Sequence, residues 1–280
     1  MRLPSTLQQF LLGASAIIFA GSTVVPGHSE SRPVVDAAAS FVGANTTNLK
    51  AALPGATSTA STASTSDADI ADATNSALEA LASMVRPLSH PDALKDAFRS
   101  YFAYKAANPD KVKKPYLYFV DYGLPSTAKR GYVFDMESLK VVDGPFTVAH
   151  GRGSSTSQYG VPTRFSNASG SQSTSLGLYV TKALYDFRGK SGGRSYSSVG
   201  LRLQGVSTGF NDKALDRGVV AHGAPYVTPT KAGRSEGCPA MEPKRAKELL
   251  PKLAQGAMVF LFAPNTNWMQ NDPWLGANAG

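Results

Sequence analysis

Downstream of Lys114 the chain is cut by Gly, Pro, Ser and Asp into short runs rich in β-branched and aromatic residues. The runs are Tyr116–Asp121, Gly131–Asp135, Lys140–Val142, Phe146–His150, Leu176–Thr181, Val199–Gln204, Val219–His222 and Ala257–Ala263. Eight strands at this spacing predict a mainly β domain, a sandwich or a barrel. Two helices accompany them. The first follows Ser89-His90-Pro91-Asp92, where Ser89 suits a cap, Pro91 the first turn and Asp92 the positive end of a helix. Leu94, Phe98, Tyr101 and Phe102 then recur at helical spacing and predict one buried face, which Asn108-Pro109-Asp110 ends. The second helix runs from Pro243 to about Gln255, with Leu249, Leu250 and Leu253 on its buried side and Gly256 as a stop. Pro251 lies inside it and predicts a kink or a division into two turns.

Upstream the composition changes. Met1-Arg2 gives a short positive start, Phe10 to Val25 is almost wholly apolar, and Ala20-Gly21-Ser22 offers small residues ahead of the polar Gly27-His28-Ser29-Glu30. This order reads as a secretory signal over residues 1–28. The apolar run is 16 residues long, short for a bilayer span, which needs roughly 20. The expectation is an exported protein of the periplasm or cell wall, with no stable membrane span in its mature form. Residues 29–89 are dominated by Ala, Ser and Thr, and such a segment lacks the large apolar side chains that offset its ordering entropy. They read as a linker, with a short amphipathic helix through Leu78, Leu81 and Val85 as its one structured candidate. The folded domain then spans 90–265, and 266–280 form a tail. A net charge of +8 favours anionic partners such as cell-envelope polymers, or serves solubility alone. No aromatic-interleaved basic motif points to nucleic acid.

Cys238 is the only cysteine, so it forms no intrachain disulfide and is present for packing or for chemistry. An arbitrary free cysteine is most often a small buried hydrophobe. This one sits in the polar, glycine-rich stretch Gly233-Arg234-Ser235-Glu236-Gly237-Cys238-Pro239-Ala240, which favours chemistry. A cysteine nucleophile needs a base and donors for the oxyanion formed when it attacks an acyl carbon. Val219-Val220-Ala221 reads as a buried strand delivering His222, with Gly223 turning the backbone. Pro239 has no N–H, so the oxyanion donors expected are the amides of Gly237 and Cys238.

His222-Gly223 followed by Ser235-Glu236-Gly237-Cys238 resembles the signature of the YkuD-type L,D-transpeptidase catalytic domain. Val148-Ala149-His150-Gly151-Arg152-Gly153, Phe165-Ser166-Asn167, Ser175-Leu176-Gly177, Gly209-Phe210-Asn211-Asp212 and the Gly-Arg-Ser-x-Gly-Cys-Pro-Ala stretch are similar to a murein L,D-transpeptidase subgroup. The resemblance covers about Pro91 to Ala263. It implies an L,D-transpeptidase-like sandwich or barrel in which Cys238 accepts the acyl group, His222 is its base, and Ser235 and Gly237 belong to the nucleophile loop. The implied substrate is a peptidoglycan stem peptide and the implied product a 3–3 cross-link. An L,D-carboxypeptidase, another murein hydrolase or a non-catalytic wall-binding protein are the rival readings. Glu236 replaces a second histidine of the common motif, whose role passes to His150 if to any residue, and Ala240 replaces a polar or cationic residue for which Arg234 is the candidate.

His150-Gly151-Arg152 repeats a strand end in His-Gly, and reads either as a substrate-facing histidine beside a carboxylate-binding arginine or as a plain turn. Gly223, Tyr226 and Asn167 complete the candidate substrate-binding set, with Arg164 the more weakly placed. Four histidines and one cysteine give no metal-ligand spacing, and no phosphate loop or dinucleotide fingerprint is present, so neither metal nor cofactor is expected.

Overall fold

The computed structural model describes residues 65–276, so the signal assigned to 1–28 and the linker as far as residue 64 lie outside the described residues. The helices are α1 (Asp67–Leu81), α2 (Ala93–Ala107), α3 (Pro243–Leu253) and α4 (Thr266–Asn271). The strands are β1 (Tyr116–Asp121), β2 (Gly131–Asp135), β3 (Lys140–Phe146), β4 (His150–Gly151), β5 (Gly177–Ser191), β6 (Arg194–Gly205) and β7 (Val220–Gly223). Four two-residue strands, β8 (Val227–Thr228), β9 (Lys231–Ala232), β10 (Arg234–Ser235) and β11 (Ala240–Met241), lead to β12 (Met258–Phe262). The mainly β expectation holds, in the form of one eight-stranded sheet ordered β11-β7-β6-β5-β12-β1-β2-β3 with two small paired ribbons beside it. The sheet is mixed. β1 runs parallel to β12 and β11 parallel to β7, while the remaining pairs are antiparallel.

The core explains why these runs pair. β1 and β12 are buried almost throughout, as strands inside a sheet covered by helices must be. α2 buries Leu94, Phe98, Tyr101 and Tyr104, and Phe98 meets Phe134 of β2 edge-on at 5.4 Å between ring centroids. α3 buries Ala246, Leu249, Leu250 and Leu253. Pro251 neither kinks nor divides it, because it falls in the last turn, where a missing N–H removes one terminal bond only. Gln255 and Gly256 then stop the helix with φ of 63° and 108°.

Three local expectations are corrected. Ser89 does not cap α2; its amide and hydroxyl both donate to the buried Asp121 carboxylate, at 2.7 and 2.6 Å, and Asp92 is the cap residue. The segment 67–88 is not linker. α1 opens with a capping box between Ser66 and Asp69 and buries Ile70, Thr74, Ala77 and Leu81, joining the core with the half-buried Leu78, Val85 and Leu88. The tail folds back as well, since Trp268 is 1% exposed and sits against Phe260 and Phe262. No helix of the described residues is long and apolar enough to cross a membrane.

Candidate active site

The nucleophile loop is held by its two ends. β10 pairs in parallel with β4, aligning Arg234 with His150 and Ser235 with Gly151, and β11 pairs in parallel with β7, aligning Ala240 with His222. The two His-Gly strand ends therefore flank the loop that carries Cys238. Inside the loop Ser235 acts as a clasp: its hydroxyl donates to the Cys238 carbonyl at 2.6 Å and accepts the Gly237 N–H at 3.2 Å. Gly237 has φ of 122°, and a Cβ there would lie 2.9 Å from the Ser173 carbonyl oxygen, so both its backbone angle and its surroundings demand glycine. The clasp corrects one expectation. The Gly237 N–H is taken by Ser235, which leaves the Cys238 N–H, without a partner among the described residues, as the loop amide free to receive an oxyanion.

His222 is 2% exposed at the end of β7. Its Nδ1 lies 3.0 Å from the Gly223 carbonyl. A carbonyl only accepts, so Nδ1 carries the hydrogen and Nε2 keeps the lone pair a base needs. Burial, opposed by that carbonyl bond, lowers the imidazole pKa to about 4, so it is neutral at physiological pH. Phe187 of β5 is stacked on the ring, centroids 4.0 Å apart and planes at 19°.

Cys238 is half-buried, with Sγ 4.0 Å from the Gly218 carbonyl. Burial pushes its thiol up to about 11, while the Val220 N–H and the Arg217 guanidinium pull it down and Glu236 pushes it up. The resting pair is thus a neutral thiol and a neutral imidazole, and the cation acting on the thiol is Arg217, not Arg234. Arg217 donates to the carbonyls of Ser166 and Ser173 at 2.9 Å each and to the hydroxyls of Ser171 and Ser175 at 3.2 Å each. It anchors the 166–175 loop to the turn that precedes β7. Burial raises the hydroxyl pKa values of Tyr122, Tyr179, Tyr185, Tyr196 and Tyr226, and all five lie close enough for charge on Cys238 to add a smaller push in the same direction.

Ser235, Gly237 and Cys238 share one loop, His222 stands opposite Ala240 two residues beyond Cys238, and Tyr226 lies within reach of charge on Cys238; the other candidates have structural duties. His150 is fully buried, not substrate-facing. Its Nδ1 meets Arg130 Nη2 at 3.1 Å, and because a guanidinium only donates, the hydrogen of His150 sits on Nε2, which has no partner. Burial and the nearby Arg130 and Arg234 lower its pKa to about 3. It cannot be a base in this tautomer. Arg234 donates to the carbonyls of Ser155 and Thr156, and Asn167 bridges Asp212 and the Lys213 amide. Arg152 meets the Gln172 side chain at 2.8 Å and pairs with Glu236 at 2.9 Å, which gives Glu236 its partner in place of a second histidine. Gly223 is a packing glycine, since a Cβ there would lie 2.5 Å from Ser198 Oγ and 2.9 Å from Ala246 Cβ. Arg217 and Phe187 went unread in the sequence, although Arg217-Gly218 immediately precedes the strand of His222 and Phe187 lies in an alternating run.

A thiol and an imidazole delivered by neighbouring strand ends of a mixed sheet define a candidate cysteine-nucleophile domain. The chain belongs to the L,D-transpeptidase catalytic domain family YkuD_2, whose sequence profile matches residues 87–262. Solved structures similar to it include an L,D-transpeptidase from Stackebrandtia nassauensis, at 17% identity over 61% of this chain and 66% of that one, TM-score 0.34. One from Mycobacterium smegmatis is 14% identical over 53% and 59%, TM-score 0.32, and a mutant L,D-transpeptidase from Enterococcus faecium is 13% identical over 54% and 50%, TM-score 0.31. This chain spans about half to two thirds of the length of these solved chains, and the family assignment rests on the sequence profile. No curated protein matches the chain.

Proposed function

We propose that this protein is an exported murein L,D-transpeptidase that joins peptidoglycan stem peptides through a thioester on Cys238. The observation that carries the reading is the placement of Cys238, on its Ser235-clasped loop, beside the strand end of His222, whose Nε2 lone pair is free whereas that of His150 Nδ1 is taken by Arg130. Nε2 takes the thiol proton as Sγ adds to the carbonyl carbon between the third residue and the terminal D-residue of a tetrapeptide stem. The oxyanion receives the Cys238 N–H. As the carbon–nitrogen bond breaks, the imidazolium returns its proton to the leaving amine, and the thioester remains. A side-chain amine of a second stem then attacks the thioester, loses a proton to Nε2, and the departing thiolate is reprotonated. With both groups neutral at rest, proton transfer from Sγ to Nε2 accompanies the attack on the carbonyl rather than preceding it. The basic chain and the apolar leader support work in an anionic envelope.

Incubation of the purified protein with tetrapeptide muropeptides, followed by mass spectrometry, tests this. Cross-linked dimers lost in Cys238→Ala are expected. Tripeptide without dimers means that water resolves the thioester and the protein is a carboxypeptidase; wall effects unchanged in Cys238→Ala mean that it is a binding protein.

A further inference from the structure

Strands β5 and β6 pair from Tyr179–Gly205 to Ser191–Arg194 with a bulge between Thr181 and Leu184, and beyond the bulge their hairpin leaves the core with a regular alternation. Lys182, Asp186, Arg188 and Lys190 are exposed, whereas Tyr185, Phe187 and Gly189 between them are half-buried. Their register partners on β6 are Gly200, Ser198 and Tyr196. Two of these three pairs set a glycine against a tyrosine. A Cβ at Gly200 would lie 2.6 Å from the Tyr185 ring and one at Gly189 would lie 2.6 Å from the Tyr196 ring, so each glycine makes room for an aromatic ring lying across the partner strand. The middle pair, Phe187 and Ser198, reaches the strand end of β7. Ser198 Oγ accepts the Gly223 N–H at 3.1 Å, and the Phe187 ring lies 4.0 Å from that of His222. The hairpin thus grips both members of the His-Gly pair, one by a hydrogen bond and the other by a stack.

We infer that Phe187 is a positioning residue for His222, whose flat contact excludes water from one face of the imidazole and, with the Gly223 carbonyl, fixes the plane in which Nε2 meets the thiol. The inference rests on the reading of His222 as the base of an acyl transfer. One hydrogen bond at Nδ1 leaves the ring free to rock about its Cβ–Cγ bond; a second ring lying flat against it removes that freedom. The titratable and charged groups on the elements around His222 are Tyr179, Lys182, Tyr185, Asp186, Arg188 and Lys190 on β5, Arg194, Tyr196 and Arg202 on β6, Arg217 before β7 and Tyr226 beyond it, Arg234, Glu236 and Cys238 on the nucleophile loop, and Lys244, Arg245, Lys247, Glu248 and Lys252 on α3. None of them sets the protonation of His222, which is governed by burial and the Gly223 carbonyl alone. Phe187 supplies the removable part of that burial.

The test uses the full chain carrying Phe187→Ala, Phe187→Leu or Phe187→Tyr, with the His222 imidazole followed by NMR titration and identified by its absence in His222→Asn. In Phe187→Ala the imidazole pKa rises from about 4 towards the ordinary histidine value of 6.5. A rise of two units leaves roughly a tenth of the imidazoles neutral at pH 5, so kcat/KM falls about tenfold more at pH 5 than at pH 7.5. Phe187→Tyr keeps both the ring and the pH profile, and Phe187→Leu, which keeps apolar cover without a flat ring, shifts by about half as much. A ring with a structural role alone would lower the rate equally at both pH values. A folded Phe187→Ala whose imidazole titrates as in the wild type overturns the inference; if that variant does not fold, an unshifted Phe187→Leu does the same. If the wild type neither cross-links nor trims stems, the acyl-transfer reading falls, while the NMR titration still decides whether Phe187 governs His222.

Discussion

Ser235 and Arg217 divide the labour around Cys238. Ser235 shapes the loop from within, and Arg217, bonded to the neighbouring 166–175 loop, contributes a positive charge to the thiol. The Arg217 contribution can be isolated. Removing a cation that favours the thiolate raises the thiol pKa, so less thiolate exists at a given pH. Arg217→Met is therefore expected to slow alkylation of Cys238 by iodoacetamide at pH 9 by roughly three- to tenfold, since each pKa unit is about tenfold in thiolate. Arg217→Lys keeps the charge without the fourfold hydrogen bonding and restores part of the rate. Faster alkylation in Arg217→Met would mean that the arginine shields the sulfur more than it activates it. Cys238, His222 and Ser235 were legible as a site because the motif places them on one loop and one strand end. Arg217 was not, because its role depends on which carbonyls the 166–175 loop turns inward, and no local pattern records that.

Among the elements, the strands with uninterrupted apolar faces were read with their true limits: β1 and β2 match to the residue. β5 and β6 ran past their expected ends by many residues because their outer halves alternate exposed basic residues with half-buried aromatics, a pattern without a core signature. β10 and β11 were invisible, since a two-residue strand is defined by its partner. α1 was read only in its second half, as a short helix through Leu78, Leu81 and Val85, because the small residues of its first half, Ala68, Ala71 and Ala73, give little apolar signal. Leu81, fully buried, is its main anchor. Leu81→Ala should cost about 2–4 kcal/mol in urea unfolding; no loss of stability would return this segment to the linker.

For the molecule as a whole, the buried ionisable groups set how stability follows pH. His150 and His222 have folded pKa values of about 3 and about 4, below the ordinary 6.5, so their contribution is fully present above pH 6.5 and is lost as pH falls towards 4, where the unfolded chain takes up their protons first. Asp96, raised by burial to about 7 from 3.8, works in the opposite direction across the same window. Thermal melts should show a lower Tm at pH 5 than at pH 7. In Asp96→Asn the drop should be steeper, because the opposing group is gone; an unchanged slope would mean that Asp96 is ionised in the fold. A mainly β domain with a leading helix and one helix ahead of the last strand could be anticipated from the order of the runs, and its arrangement as one eight-stranded sheet could not. Its closure by the chain end could not, because Trp268 and Trp274 stand in an Asn- and Gly-rich stretch with no periodicity. The protonated state of Cys238 has a further effect on the working life of the protein. Peroxides attack sulfur as thiolate, and a thiol titrating near 11 holds about one molecule in ten thousand in that form at neutral pH. Under the proposed acyl transfer the resting sulfur is slow to oxidise, and oxidative loss belongs to the steps in which the thiolate forms.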